Sequence, residues 1–448
     1  MQLSTRRVLD RSFSGLSVFS VALMAAALIV LLGPIFVRGA GAFVFRGTVE
    51  WRRFVLERLN RGDRDALAAE VAQAQRARKP VFEMVAKFRQ EMEQGSPEIR
   101  AKYSKPLEAL EEKLQALLGP RPDARPAVVL RDQYGQTRWD RAVVRLHDAL
   151  YITRYDYSDP SRLGRKVEVP RAEEFKGTSL EPLFAYLQTN TEHMLLPRWT
   201  FYWRFLFDEP YDSYLFGGIW PALLGTLYLT IGAMLVAGPT GIICAIYLAE
   251  YAGESRFVSL IRTCISTLAG VPSIVFGLFG LAFFINALHV SDSKSVLAGS
   301  LTLAALVLPT VIRASEEAIK AVPATYKEAA LSLGASKWRT VFTVVLPAAL
   351  PGVLTSIIIS MGRAAGETAP IMFTAVVSLG AALLPWQALS QPTQALPWSI
   401  FNLATENRMA DEIRHVQYGM VMTLIVLVLL LNVAAIVVRA RVSRKLRG

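Results

Sequence analysis

A chain of 448 residues, 52% of them hydrophobic and with a mean hydropathy of +0.33, is too apolar for an ordinary soluble protein and long enough for two or more domains. The net charge of +12 would suit a nucleic-acid binder, but short loops beside apolar runs explain much of it and residues 38–217 are nearly balanced, 30 basic against 26 acidic, so nucleic acid is not indicated. The two cysteines, Cys244 and Cys264, both fall in apolar runs, so neither a disulfide framework nor a cysteine metal site is expected.

Five runs contain no Asp, Glu, Lys or Arg: Leu16–Val37, Ile219–Leu248, Thr263–Leu288, Val296–Ile312 and Tyr418–Val438. A sixth, about Pro351–Leu379, carries only Arg363 and Glu367. Each reaches roughly the 17–25 residues a membrane helix needs. The first exceeds the ~7–15 apolar residues usual in a signal peptide, so a retained anchor is expected although Gly39-Ala40-Gly41-Ala42 is small enough for cleavage.

Short-loop Lys and Arg set the orientation. Arg6, Arg7, Arg11, Arg256, Arg313, Lys320, Lys327, Lys337, Arg339, Arg439, Arg441, Arg444, Lys445 and Arg447 fall on one side, against Lys294, Arg408 and Arg414 on the other. The expectation is a cytoplasmic N-terminus and first span over 1–37 and an extracytoplasmic insertion over 38–217. A membrane core over 218–440 follows, with a cytoplasmic loop at 313–348, and then a basic cytoplasmic tail over 441–448.

In the insertion, residues 60–118 have the composition and apolar spacing of helix, interrupted at Pro80, with a second helix near Glu98–Leu118 ending at Gly119-Pro120. Residues 127–158 turn to Val, Tyr, Ile and Arg with period-two hints of strands, which makes the insertion a small α+β domain. His147 and His193 are isolated and read as ordinary surface or packing residues. Trp199, Tyr202, Trp203, Phe205, Phe207, Tyr211, Tyr214 and Trp220 crowd the approach to the second span and read as an aromatic belt at the membrane–water interface.

Pro239 and Gly241 lie inside the second span, and Gly270, Gly277 and Gly280 in the third permit close helix approach. Pro272-Ser273 marks either a helix break facing a pathway or a packing feature. The fourth span is short and ends at Arg313, where a snorkelling anchor is the simple explanation.

In the loop that follows, Thr325 and Glu328 have capping-box spacing, Gly334 suits the left-handed position that ends a helix, and Ser336 suits the next N-cap. The result is a helix–Gly–helix at the membrane surface, through Trp338, Val341 and Val344 to Leu346-Pro347. Arg363 and Glu367 are four apart, hence on one helix face near the middle of the span at about Pro351–Leu379, the fifth in chain order, where an Arg costs roughly 2.5–3.5 kcal/mol or more. They form either a self-neutralising packing pair or an oxyanion-binding fork with its orienting carboxylate. Pro370 donates nothing to the Gly366 carbonyl, which favours a break beside a cavity.

Glu328-Ala329-Ala330, Gly334, Val344 and Leu346-Pro347 resemble the EAA…G…I-LP loop by which permeases of ABC importers dock into their ATPase, with Val344 in place of the usual Ile. The likeness continues through GTLYLT, AIYLAEY and GVPSIVFGLFG; VIRASEEAI and RAAGETAPIMFTA are similar to phosphate importer permeases of the PstA family. It covers about residues 218–440 and leaves 38–217 unexplained.

The resemblance implies an all-α polytopic membrane protein of six transmembrane helices, one N-terminal span plus a five-helix importer-permease core, in a bacterial inner membrane among lipids. It implies a transport subunit without catalytic activity or cofactor, in which Arg313, Arg363 and Glu367 line the path of phosphate. Its partners would be a second permease, two copies of a cytoplasmic ATP-binding subunit and an extracytoplasmic phosphate-binding protein, with no nucleic acid. The chain carries no G-x-x-x-x-G-K-[ST], so ATP hydrolysis falls to another chain. The competing readings are a sensor or assembly protein using the outer domain, and a permease for another oxyanion. An intramembrane enzyme lacks support, since neither H-E-x-x-H nor G-x-S-x-G occurs.

Overall fold

The computed structural model describes residues 3–121, 127–156, 164–407 and 409–447; Arg408 and the last two positions of the expected 127–158 strand region lie outside the described residues. The chain divides into two compact units, one of Phe43–Trp203 and one of Met1–Ala42 with Arg204–Gly448. The insertion is therefore shorter at both ends than the expected 38–217.

The N-terminal helix α1 spans Leu3–Ala40, and its stretch Ser12–Ala40 is long and apolar enough to cross a membrane. None of the most apolar part is buried, but its last turn packs on the C-terminal helix of the same unit. Gly39 makes that approach possible, because a Cβ there would lie 2.8 Å from the Tyr418 carbonyl oxygen. Arg38 adds a hydrogen bond from its guanidinium to the Tyr418 hydroxyl at 2.7 Å.

In the inserted unit, β1 (Val44–Gly47) leads to α2 (Val49–Leu59), α3 (Arg64–Gln94), α4 (Pro97–Leu118), α5 (Trp139–Leu150), β2 (Tyr151–Asp156), β3 (Arg165–Pro170), α6 (Pro182–Leu195) and β4 (Arg198–Phe201). β1 and β4 pair antiparallel with Val44 opposite Phe201, so the unit's two ends meet; β2 and β3 form a second ribbon. The Asp63 carboxylate accepts from the Asp65 and Ala66 backbone N–H groups and starts α3. Helix α3 then runs through Pro80 without the expected interruption. Proline costs about 3 kcal/mol inside a helix, but the same helix buries Val81, Val85 and Phe88, each contributing about 1.5–3 kcal/mol. Helix α4 ends at Gly119 as expected; φ there is +89°, and Gly135 packs so closely that a Cβ would meet the Leu118 carbonyl carbon at 2.6 Å.

The expected strand region is corrected in part. Residues 139–150 are helical, because Ala142, Leu146, Ala149 and Leu150 recur at three- and four-residue spacing and turn one face to the core. Among the described residues of that region, only Tyr151–Asp156 is strand. The core joins Val81, Val85 and Phe88 to Leu107, Leu110, Leu114, Phe175, Leu183 and Leu187. Within this unit Glu50 is buried and receives Arg78 at 2.7 Å and Arg53 at 3.0 Å.

The membrane-type unit resumes with a minimal hairpin, β5 (Pro210–Tyr211) and β6 (Phe216–Gly217). There follow α7 (Trp220–Ile246) with a π-helical turn Tyr247–Tyr251, α8 (Arg256–Leu268), α9 (Ser273–Gly280) with a π-helical continuation Leu281–Ala287, and α10 (Val296–Lys320). Next come α11 (Ala324–Ser332), α12 (Lys337–Thr340), a π-helical turn Val341–Val345, α13 (Leu346–Gly366), α14 (Ala369–Thr374), α15 (Leu396–Thr405) and α16 (Arg414–Arg447). Among the described residues five helices are long and apolar enough to cross a membrane, or six if the bent pair α8–α9 counts as one span. Helices α7 and α10 approach closely at Gly232 and Gly241, where a Cβ would meet Ser300 and Val311.

Three span boundaries differ from expectation. The third is bent by 102° between α8 and α9. The fourth does not stop at Arg313 but continues two turns to Lys320, because an ion-pair cluster described below compensates its charges. The fifth is Lys337–Gly366 rather than Pro351–Leu379, so the surface loop feeds directly into the span. The aromatic belt is also only partial. Tyr202, Phe205 and Tyr214 are buried within their own units, while Trp199, Trp203 and Phe207 are exposed.

Candidate functional site: a coupling loop and two ion-pair clusters

The loop between α10 and α13 begins with a correction. Pro323, with φ −54° and ψ 135°, holds the N-cap position of α11 and makes no side-chain cap. Thr325 thus lies one residue inside the helix, and the expected capping box with Glu328 does not form. The C-terminal end is as expected: Gly334 takes φ +80°, its N–H reaches the Leu331 carbonyl at 2.9 Å, and the Ala335 N–H reaches Ala330 at 3.2 Å. This is a Schellman motif, which satisfies carbonyls the ending helix leaves free. Ser336 then caps α12, accepting from the Arg339 backbone at 3.4 Å.

No residue of α11 is buried. Glu328 and Ala329 are exposed, Ala330 half-buried, and Tyr326, Leu331, Leu333 and Trp338 leave large apolar surface uncovered. What anchors the loop lies beneath it: Val341 and Val345 of the π-helical turn pack with Ile319, Val322, Ala245 and Ile246. Leu346 and Pro347 open α13 directly after that turn; Pro347 lacks a donor, and a widened turn upstream accommodates its absence.

The Arg363 Nε donates to Glu367 Oε1 at 3.4 Å, with side chains 38% and 18% exposed. The pair is not at mid-helix. Arg363 sits in the last turn of α13, Gly366 ends it, and Glu367 is extended at ψ 133°. Pro370 follows in the first turn of α14, where its missing N–H costs nothing. Gly277 of α9 packs against this break, since a Cβ would lie 3.0 Å from the Ala369 carbonyl oxygen and from the Pro370 Cα. On α9's own side, Pro272 (φ −56°, ψ 136°) and Ser273 stand at the 102° bend. Two interruptions, one in α8–α9 and one in α13–α14, therefore belong to elements that pack on each other.

Arg313 belongs to a different cluster. Its guanidinium is 3.4 Å from Glu316, whose side chain is wholly buried. Arg262 Nε reaches the same carboxylate at 3.0 Å and Lys320 Nζ at 2.7 Å, while Arg262 also donates to the Leu248 carbonyl at 2.8 Å. Three cations thus converge on one buried carboxylate from α8 and α10. Arg313 and Arg363 thus pair with different carboxylates, Glu316 and Glu367. Sequence reasoning missed Glu316 and Arg262. The signal available was the one-turn spacing of Arg313, Glu316 and Lys320, which puts them on one face.

Helices long and apolar enough to span a bilayer, two of them interrupted, with an exposed helix–turn–helix between α10 and α13, are the architecture of a polytopic membrane protein. The family model for the binding-protein-dependent transport system inner membrane component matches residues 237–448. A probable ABC transporter permease protein, YqgI, of Bacillus subtilis is 35% identical over 49% of this chain and 76% of its own length. The phosphate transport system permease protein PstA 1 of Mycobacterium tuberculosis is 36% identical over 52% of this chain and 72% of its own. Among solved structures, the inward-facing MetNI methionine ABC transporter aligns at 18% identity and a TM-score of 0.38, over 50% of this chain and 94% of that one. The chain belongs to the binding-protein-dependent transport system inner membrane components, as an ABC transporter permease of the PstA family. As a permease subunit it is not an enzyme, and ATP hydrolysis resides on a partner chain.

Proposed function

We propose that this permease carries inorganic phosphate inward across a bacterial inner membrane, with Thr325–Pro347 docking into one of two ATPase copies. The observation that carries the coupling role is the exposure of α11: a helix with no buried residue, ended by a Schellman glycine, is built to be covered by another chain. Glu328, Ala329, Ala330 and Gly334 would form the docking surface, and Leu346-Pro347 would pass its movement into α13. A second permease supplies the other half of the pathway and a binding protein delivers the ion. Both termini are cytoplasmic and the inserted unit lies outside, as the loop charges suggest.

The phosphate-specific part rests on the relatives named for phosphate transport and on the chemistry of the cations. Arg363 is 38% exposed and, among the described residues, its one carboxylate contact is Glu367 at 3.4 Å, so its planar fork retains donors for an oxyanion. Glu367 orients that fork. The breaks at Pro272-Ser273 and Gly366–Pro370 would line the pathway, as interruptions in transporter helices do. Arg313 acts from the Glu316 cluster on the same route. Uptake of labelled phosphate by vesicles holding the permeases, the ATPase and the binding protein tests the proposal. ATP-driven uptake of phosphate, but not of molybdate or a phosphonate, is the expected result.

A further inference from the structure

The coupling loop is fastened to one particular turn of one particular span. Lys327 of α11 pairs with Glu250, which lies on the π-helical turn Tyr247–Tyr251 ending α7. The two residues are 77 positions apart, so the contact is tertiary. Glu250 is 9% exposed and Lys327 26%, which separates the pair from the solvated surface bridges that contribute little. The next residue of the same turn makes a second contact: Lys337 Nζ stands 5.1 Å from the centre of the Tyr251 ring, within cation–π range. Two cations, one from each helix of the loop, thus grip adjacent residues of a single turn.

That turn is suited to being pulled. Its Ala252 N–H bonds back five residues to Tyr247 at 2.8 Å, a π-helical spacing that costs local regularity and recurs at functional positions. Beneath it, Ala245 and Ile246 pack with Val341 and Val345, so a second π-helical turn faces the first across an apolar cluster. Leu248 in the same turn accepts from Arg262 at 2.8 Å, which ties α8 to it as well.

We propose that Glu250 and Lys327, supported by Tyr251 and Lys337, form the joint through which movement of the coupling loop is delivered to α7. The inference rests on the reading that Thr325–Pro347 docks an ATPase. These are positioning residues: they act by making the loop and the end of α7 move as one body. A joint of this kind tolerates exchange of its charges but not loss of their complementarity, and it tolerates being locked.

The assembled complex of permeases, ATPase and binding protein in vesicles is the material for the test, with phosphate uptake and ATP hydrolysis read together. Glu250→Lys and Lys327→Glu should each lower phosphate moved per ATP by about tenfold, a mid-range coupling energy for contacting residues, while the subunits still co-purify. The double exchange Glu250→Lys/Lys327→Glu should recover most of that loss, which a purely local packing defect would not. Separately, with Cys244 and Cys264 replaced by serine, a Glu250→Cys/Lys327→Cys pair joined by a short cross-linker should keep ATP-driven uptake. Wild-type coupling in both single exchanges, no recovery in the double, or arrest by the cross-link would overturn the joint. Wild-type vesicles that hydrolyse ATP but take up no phosphate would count against the proposed cargo instead. The same exchange series, read as permease-dependent ATP hydrolysis, then tests the joint alone.

Discussion

Glu316 on α10 and Arg262 on α8 meet at 3.0 Å although 54 residues separate them, and the Glu316 side chain is fully buried. Arg313 and Lys320 complete its surroundings from one turn on either side. A carboxylate placed this way is what allows Arg313 and Lys320 to remain in a helix that otherwise reads as a membrane span, with Arg262 reaching it from α8. Removing one partner of a buried pair typically costs about 3–5 kcal/mol, because the remaining charge is left uncompensated. Glu316→Gln should therefore lower the thermal midpoint of the solubilised protein more than Arg313→Gln, whose side chain is 41% exposed. Equal small shifts for both would show that the cluster does not depend on its central carboxylate.

Gly334 provides a cleaner backbone test. A Cβ there would meet no atom within 4 Å, so the φ of +80° is the only obstacle to a side chain. Gly334→Ala should cost about 1–2 kcal/mol locally, the usual expense of a left-handed L-residue. Gly334→Pro should be worse, since φ is forced negative and the N–H to Leu331 is lost. The expected readout is graded loss of ATP-coupled uptake, Pro beyond Ala, with membrane insertion unchanged. Equal coupling in both variants would remove the glycine from the account.

Arg363→Gln separates the two readings of the α13 ion pair. Loss of phosphate uptake with normal co-purification of the partner subunits is expected, because the variant keeps hydrogen-bonding capacity but loses the charge and fork. Normal uptake kinetics would leave Arg363 a packing partner of Glu367.

The spacing of Glu328, Gly334 and Leu346-Pro347 was legible because helix ends obey local chemistry: a left-handed glycine and a serine cap are visible one residue at a time. The capping box was not legible, because Pro323 takes the N-cap position and starts the helix at Ala324, one residue before Thr325. The apolar runs identified the spans, but their ends were misread wherever tertiary contacts overrode composition. Arg313 looked like a terminus until Glu316 and Arg262 were found to neutralise the extension of α10. In the inserted unit Pro80 looked like a breaker, and the burial of Val81, Val85 and Phe88 outweighs it. The Lys327–Glu250 contact was invisible in principle, since nothing local relates residues on two helices.

The inserted unit has its own pH signature. The Tyr134 hydroxyl is pushed up to about 12, first by burial and then by donating to Glu57 at 2.7 Å. Its folded value lies above the ordinary value of 10.0, so its stabilising contribution is complete below pH 10 and is lost as pH rises through about 12. Tyr134→Phe should be less stable than wild type near neutrality, by about 1 kcal/mol for the lost hydrogen bond. The gap should close across that alkaline window, followed by denaturation at a series of pH values. A gap independent of pH would remove the tyrosine from the titration.

The most direct test is ATP-dependent uptake of radiolabelled phosphate into vesicles containing the permease pair, ATPase and binding protein, with wild type and Glu328→Lys compared side by side. Uptake is expected in the wild type, and in the variant a loss of uptake while the ATPase still turns over. Equal phosphate uptake by both would contradict coupling through the exposed helix α11.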